Sequence, residues 1–136
     1  MKKLSIALCI LSTFICCDTF AANCEKQDAY TAETVTDYLD SWHNVYLFFK
    51  QFRHCYDAAI AEGAERKIHK LWVEHWAALP EMIALTNKDS GFKTFIWKRI
   101  DDETMAQEDL SQLKTLARKE CPSVAKEFCQ QIIKAR

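Results

Sequence analysis

The residues of this 136-residue chain best suited to chemistry are its cysteines, its histidines and a run of carboxylates. Cysteine occurs seven times, at positions 9, 16, 17, 24, 55, 121 and 129. A thiol can attack a substrate, ligate a metal or pair in a disulfide, and the redox compartment largely decides which. Met1-Lys2-Lys3 followed by the apolar run from Leu4 to Cys17 has the form of an export signal. That run falls short of the roughly 20 apolar residues that span a bilayer. Thr19-Phe20-Ala21 puts small residues where a signal peptidase reads, so the expected cut follows Ala21, with residues 1–21 as a leader and 22–136 as one mature domain. Cys9, Cys16 and Cys17 leave with the leader. Cys24, Cys55, Cys121 and Cys129 remain, and four cysteines in an exported chain predict two disulfides.

The spacing bears on which cysteines pair. Pro122 suits the first turn of a helix, and a helix opening there separates Cys121 and Cys129 by more than ~10 Å. A disulfide needs Cα atoms within roughly 7 Å. The expectation is therefore that Cys121 and Cys129 each pair with one of Cys24 and Cys55. A zinc site is disfavoured, because structural zinc ligands come in close pairs and no C-x-x-C occurs.

The other chemical groups do not assemble into a catalytic pattern. His69 and His75 lie six residues apart, which places them on different faces of a helix. Glu74-His75 departs from the H-E-x-x-H order of zinc proteases. His75 falls within an apolar stripe and reads as a core histidine. Asp101-Asp102-Glu103 lacks the alternating oxygen ligands of a calcium loop and reads as a solvated helix end. There is no G-x-S-x-G, and the two glycines stand too far apart for a phosphate loop. No catalytic residue, metal or other cofactor is expected. Of the four tryptophans, Trp42, Trp72 and Trp76 fall near inward stripes, whereas Trp97 lies at the edge of one. Leu47 and Trp97 are the candidate exposed apolar contacts for a partner.

The elements that position these residues read as helices. Two glycines and two prolines are too few for an all-β domain. A first helix is expected from Thr31 or Thr34 to about Arg53, with Val35, Tyr38, Leu39, Trp42, Val45, Tyr46 and Phe49 on one face and Leu47 on the other. Gly63 breaks a short segment over residues 56–61. A second helix runs over 64–79, kinked or restarted at Pro80. Asp89 or Ser90 caps a helix over 92–100. Thr104 and Gln107 have the spacing of a capping box. Pro122 opens the last helix, with Val124, Ala125, Phe128, Cys129 and Ile132 inward. The fold class is all-α: one compact bundle of five or six helices stapled by two disulfides.

The predicted leader removes two of 18 basic and one of 19 acidic residues, leaving a net charge of −2. That balance excludes the basic face of a nucleic-acid binder and the polybasic patch of a membrane-surface protein, and no stable membrane insertion is expected once the leader is gone. The expected function is that of a periplasmic or secreted binding protein. Its size, export and helicity suit an inhibitor or immunity-type protein that holds another protein. A chaperone-like envelope stress factor, with an apolar groove framed by breaks near Gly63 and Pro80, is the first alternative. A metal-dependent enzyme using His69 and His75 is the second.

Overall fold

The computed structural model describes residues 23–100 and 103–136. The leader, its cut after Ala21, Cys9, Cys16, Cys17 and the pair Asp101-Asp102 lie outside the described residues. Among these there are seven α-helices and no strand: α1 Lys26–Thr36, α2 Trp42–Phe52, α3 Ala58–Glu74, α4 Leu79–Lys88, α5 Ser90–Trp97, α6 Gln107–Lys119 and α7 Lys126–Lys134. Short 3₁₀ turns at Arg53–Cys55, Trp76–Ala78 and Ser123–Ala125 redirect the chain between them. None of the described helices is long and apolar enough to cross a membrane.

The long first helix expected from the sequence is two helices. The chain turns over residues 37–41, and side chains satisfy the backbone there. Lys67 Nζ donates to the Asp37 carbonyl at 2.6 Å, and Asn44 Nδ2 donates to the Tyr38 carbonyl at 3.1 Å. Ser41 Oγ accepts the Asn44 N–H at 3.2 Å and caps α2. The turn sends Leu39 into the core and leaves Tyr38, expected inward, 66 % exposed.

Gly63 does not break a helix; it lies inside α3. A Cβ built there would stand 2.7 Å from Thr36 Oγ1, so this glycine lets α1 press against α3. At the other end, α3 stops at Glu74, short of the predicted end at residue 79. Pro80 then sits in the first turn of α4, where its missing N–H costs nothing. Asp89 caps α5 by accepting the Phe92 N–H at 3.0 Å. The expected capping box is absent: α6 starts after Ala106 without a side-chain cap, and Thr104 Oγ1 instead donates to Glu65 at 3.4 Å.

Aromatic side chains tie the layers together. Trp72 packs with Trp42 from α2 at 6.1 Å and with Phe128 from α7 at 5.5 Å between ring centroids. Its indole N–H donates to the Met82 sulfur at 3.3 Å. Phe49 of α2 meets Phe92 and Phe95 of α5 at 5.4 and 5.1 Å. Such pairs add about 0.5–1.5 kcal/mol each beyond area burial, which fixes α5 and α7 against α2 and α3.

The two disulfides form, with a pairing opposite to the one expected. Cys24 bonds Cys55 and Cys121 bonds Cys129. The expectation failed because Pro122 is extended, with ψ 143°, and precedes a 3₁₀ turn; the α-helix begins only at Lys126. The chain doubles back, and the Cα atoms of Cys121 and Cys129 come within 6.2 Å. The same turn leaves Val124, expected inward, 61 % exposed.

Candidate functional site

Two surface features merit weighing as sites. The first is a charged cleft of about 410 Å³ between α3 and the start of α6. Glu62, Arg66 and His69 line it from α3, with Thr104 and Asp109 opposite. Glu65, at its base, belongs to a buried polar network. Arg99 is 6 % exposed and packs against two nearly perpendicular rings, its guanidinium carbon 3.6 Å from the Phe95 centroid and 4.3 Å from that of Tyr56. Its guanidinium also donates to the Phe95 carbonyl. Arg99 Nε donates to the Tyr56 hydroxyl at 2.8 Å, and that hydroxyl donates to Glu65 Oε1 at 3.1 Å. Burial pushes the Tyr56 phenol far above its ordinary range, and Arg99 opposes that shift only in part. A phenol held neutral between a cation and a carboxylate is a structural bridge: it couples the turn after α2 to α3 and α5 without exchanging a proton near neutral pH.

The second feature is an apolar groove of about 330 Å³ between α1 and α2. Thr31, Val35 and the exposed Tyr38 form one wall, and Asn44, Leu47 and Gln51 of α2 the other. Its floor is Leu39, Phe48 and Phe52, all part of the core. No Lys, Arg, Asp or Glu lines it, although those residues make up 27 % of the chain. Leu47 stands 50 % exposed on this groove, on the side of α2 expected from the sequence.

Trp97, the other expected contact residue, is not an exposed contact. Its ring packs edge-on against Phe128 at 5.1 Å and lies under the Lys93 ammonium. His75, expected in the core, is not the buried histidine. His69 is the buried one, 6 % exposed and stacked on Trp72 at 5.8 Å, whereas His75 is exposed at the C-terminus of α3. They open onto different cavities: His69 onto the charged cleft and His75 onto a smaller one beside Lys70 and Glu74. Among the described residues no group of three or more His, Cys, Asp or Glu side chains is placed to hold a metal ion.

Sequence reasoning missed Tyr38 as a surface residue and the Tyr56–Glu65–Arg99 network altogether. The polar run Asp37 to Ser41 around Leu39 was the available signal for the first. Phe95 and Arg99, one helical turn apart, were the only local hint of the second. No known protein family, no curated protein and no solved structure matches the chain.

Proposed function

We propose that this chain is an exported helical binding protein of inhibitor or immunity type, which holds another protein through the groove between α1 and α2. The observation that carries this reading is the uncharged groove itself, with Leu47 and Tyr38 exposed over an aromatic floor. Protein interfaces are depleted of charge at their centre and enriched in aromatic residues. Tyrosine supplies contact area at low entropic cost. A rigid floor supports the same reading, because Phe48 and Phe52 are fixed in the core and need no reordering on binding. The disulfides fit a chain that works in an oxidising compartment outside the cytosol. Of the two breaks expected to frame a chaperone groove, the one near Gly63 is absent, since Gly63 lies within α3, whereas the chain does turn at Trp76–Ala78 and restart as α4 around Pro80.

The test is capture from periplasmic extract by the oxidised protein and by its Leu47→Glu variant, with captured proteins identified by mass spectrometry. The expected result is one stoichiometric partner whose affinity falls at least about 30-fold in Leu47→Glu, as for a central interface residue. A partner held equally by both forms, or no stoichiometric partner, overturns the reading.

A further inference from the structure

Among the helices, α1 has the fewest buried residues, and both are small. Of its eleven residues only Ala32 and Thr36 are buried, and Val35 and Ala29 are partly so. An isolated helix of that length is marginal in water, so α1 depends on its attachments. Three hold its ends. Lys67 reaches the Asp37 carbonyl just past the C-terminus, and the His54 ring lies 3.2 Å from the Asp28 carboxylate. The third is covalent: Cys24, just ahead of α1, is bonded to Cys55 in the turn that follows α2. Polar contacts of the first two kinds, at partly exposed positions, contribute little. The bond is also asymmetric, since Cys24 is exposed and Cys55 is 2 % exposed. The second disulfide likewise joins a more exposed cysteine, the partly buried Cys121, to a buried one, Cys129, but the helix it holds is anchored otherwise: Phe128 and Ile132 of α7 are fully buried.

We propose that the Cys24–Cys55 disulfide is a redox latch for α1, opened by a dithiol reductant at Cys24, the exposed residue of the pair, while the rest of the bundle stays folded. A thiolate of the dithiol attacks Cys24 Sγ, the Cys24–Cys55 bond breaks, and Cys55 leaves as a thiolate that takes up a proton. The second thiol of the reductant then displaces Cys24 from the mixed disulfide. Two electrons and two protons pass to the cysteine pair, and the dithiol leaves as a disulfide. Released α1 takes with it one wall of the groove, including Thr31 and Val35. The loss of binding that would follow rests on the function proposed above; the release of α1 does not.

The experiment titrates the oxidised protein with dithiothreitol, follows each cysteine by alkylation and mass spectrometry, and follows each helix by amide hydrogen exchange. The expected result is labelling of Cys24 and Cys55 while Cys121 and Cys129 remain paired. Exchange in α1 then rises roughly tenfold or more as a local opening, and α3, α4 and α7 keep their protection. A Cys24→Ser/Cys55→Ala variant should show that pattern without reductant. Unchanged α1 protection after reduction, earlier reduction of Cys121–Cys129, or loss of protection throughout the bundle at once overturns the latch. Exchange reads the latch whether or not the groove binds anything, and Leu47→Glu reads the groove with the latch closed.

Discussion

Asp89 shows how much one side chain can do. Its Oδ1 accepts the Phe92 N–H that begins α5, and its Oδ2 accepts from Lys50 Nζ at 3.1 Å and from the Tyr46 hydroxyl at 3.3 Å. Residue 89 therefore both caps α5 and ties it to α2. The Phe92 N–H, and then Lys50, hold its carboxyl below the usual carboxylate range. A carboxyl whose pKa is lower in the folded state adds stability that is complete above its unfolded value, about 3.9, and is lost as pH falls through the folded value. Asp89→Ala should lower the urea-unfolding stability at neutral pH by about 1–2 kcal/mol, the usual loss for an N-cap. The gap to the parent should narrow as pH drops below about 4. Asp89→Asn should keep most of the cap, because Asn serves that position as well as Asp. A gap that does not change with pH would show that the charge contributes nothing. The cap was legible in the sequence because capping is local: Asp89 precedes an apolar helix after a polar break. Its link to Lys50 and Tyr46, about forty residues away, was not, and neither was the packing of Arg99 against Tyr56 and Phe95, because only the tertiary fold brings those residues together.

At the scale of elements, the informative errors came from α1 and α3. Apolar spacings over 35–49 are continuous enough to read as one helix, and they remain inward on both sides of the turn except at Tyr38. The turn is held both from a distance, by Lys67 on α3 at the Asp37 carbonyl, and locally, by Asn44 at the Tyr38 carbonyl and the Ser41 cap. Gly63 reads as a breaker by type, yet its role is close approach, set by Thr36 on a different helix. Gly63→Ala should separate these readings. Within α3 alone, alanine favours the helix by about 1 kcal/mol. Against α1, a Cβ at 2.7 Å from Thr36 Oγ1 and 3.1 Å from Thr36 Cβ cannot fit without movement, and overpacking costs about 1–3 kcal/mol. The expected outcome is a net loss on the order of 1 kcal/mol, with faster hydrogen exchange concentrated in α1. Adding Thr36→Ala removes the nearest atom and should recover most of the loss, a coupling that a double-mutant cycle measures directly. Simple stabilisation by Gly63→Ala would show that the contact between α1 and α3 is slack.

For the whole molecule, fold class was legible because scarce glycine and proline and repeated three- and four-residue spacings all point the same way. The cysteine pairing was not, because it depended on where one helix starts, and a shift from residue 122 to 126 reversed the geometry. The observed pairing determines what each bond contributes. With a sequence separation of 31, Cys24–Cys55 restricts the unfolded chain more than Cys121–Cys129, whose separation is 8. Loop-entropy arithmetic gives about 3.7 and about 2.5 kcal/mol respectively. Their sum is comparable with the whole net stability of a typical domain, roughly 5–15 kcal/mol, so a chain lacking both bonds is left close to unfolding. Stability and export are then linked: the domain needs the oxidising compartment to which its leader is expected to send it. The protein recovered from the cell envelope should begin at Ala22 and resist alkylation under denaturing conditions until it is reduced, when four thiols become available. Intact mass spectrometry with and without reductant reads both properties in one experiment. A chain that starts at Met1 and carries alkylated Cys24, Cys55, Cys121 or Cys129 before reduction would show that the protein stays in a reducing compartment and folds without its staples, which would remove the compartment argument from the proposed function.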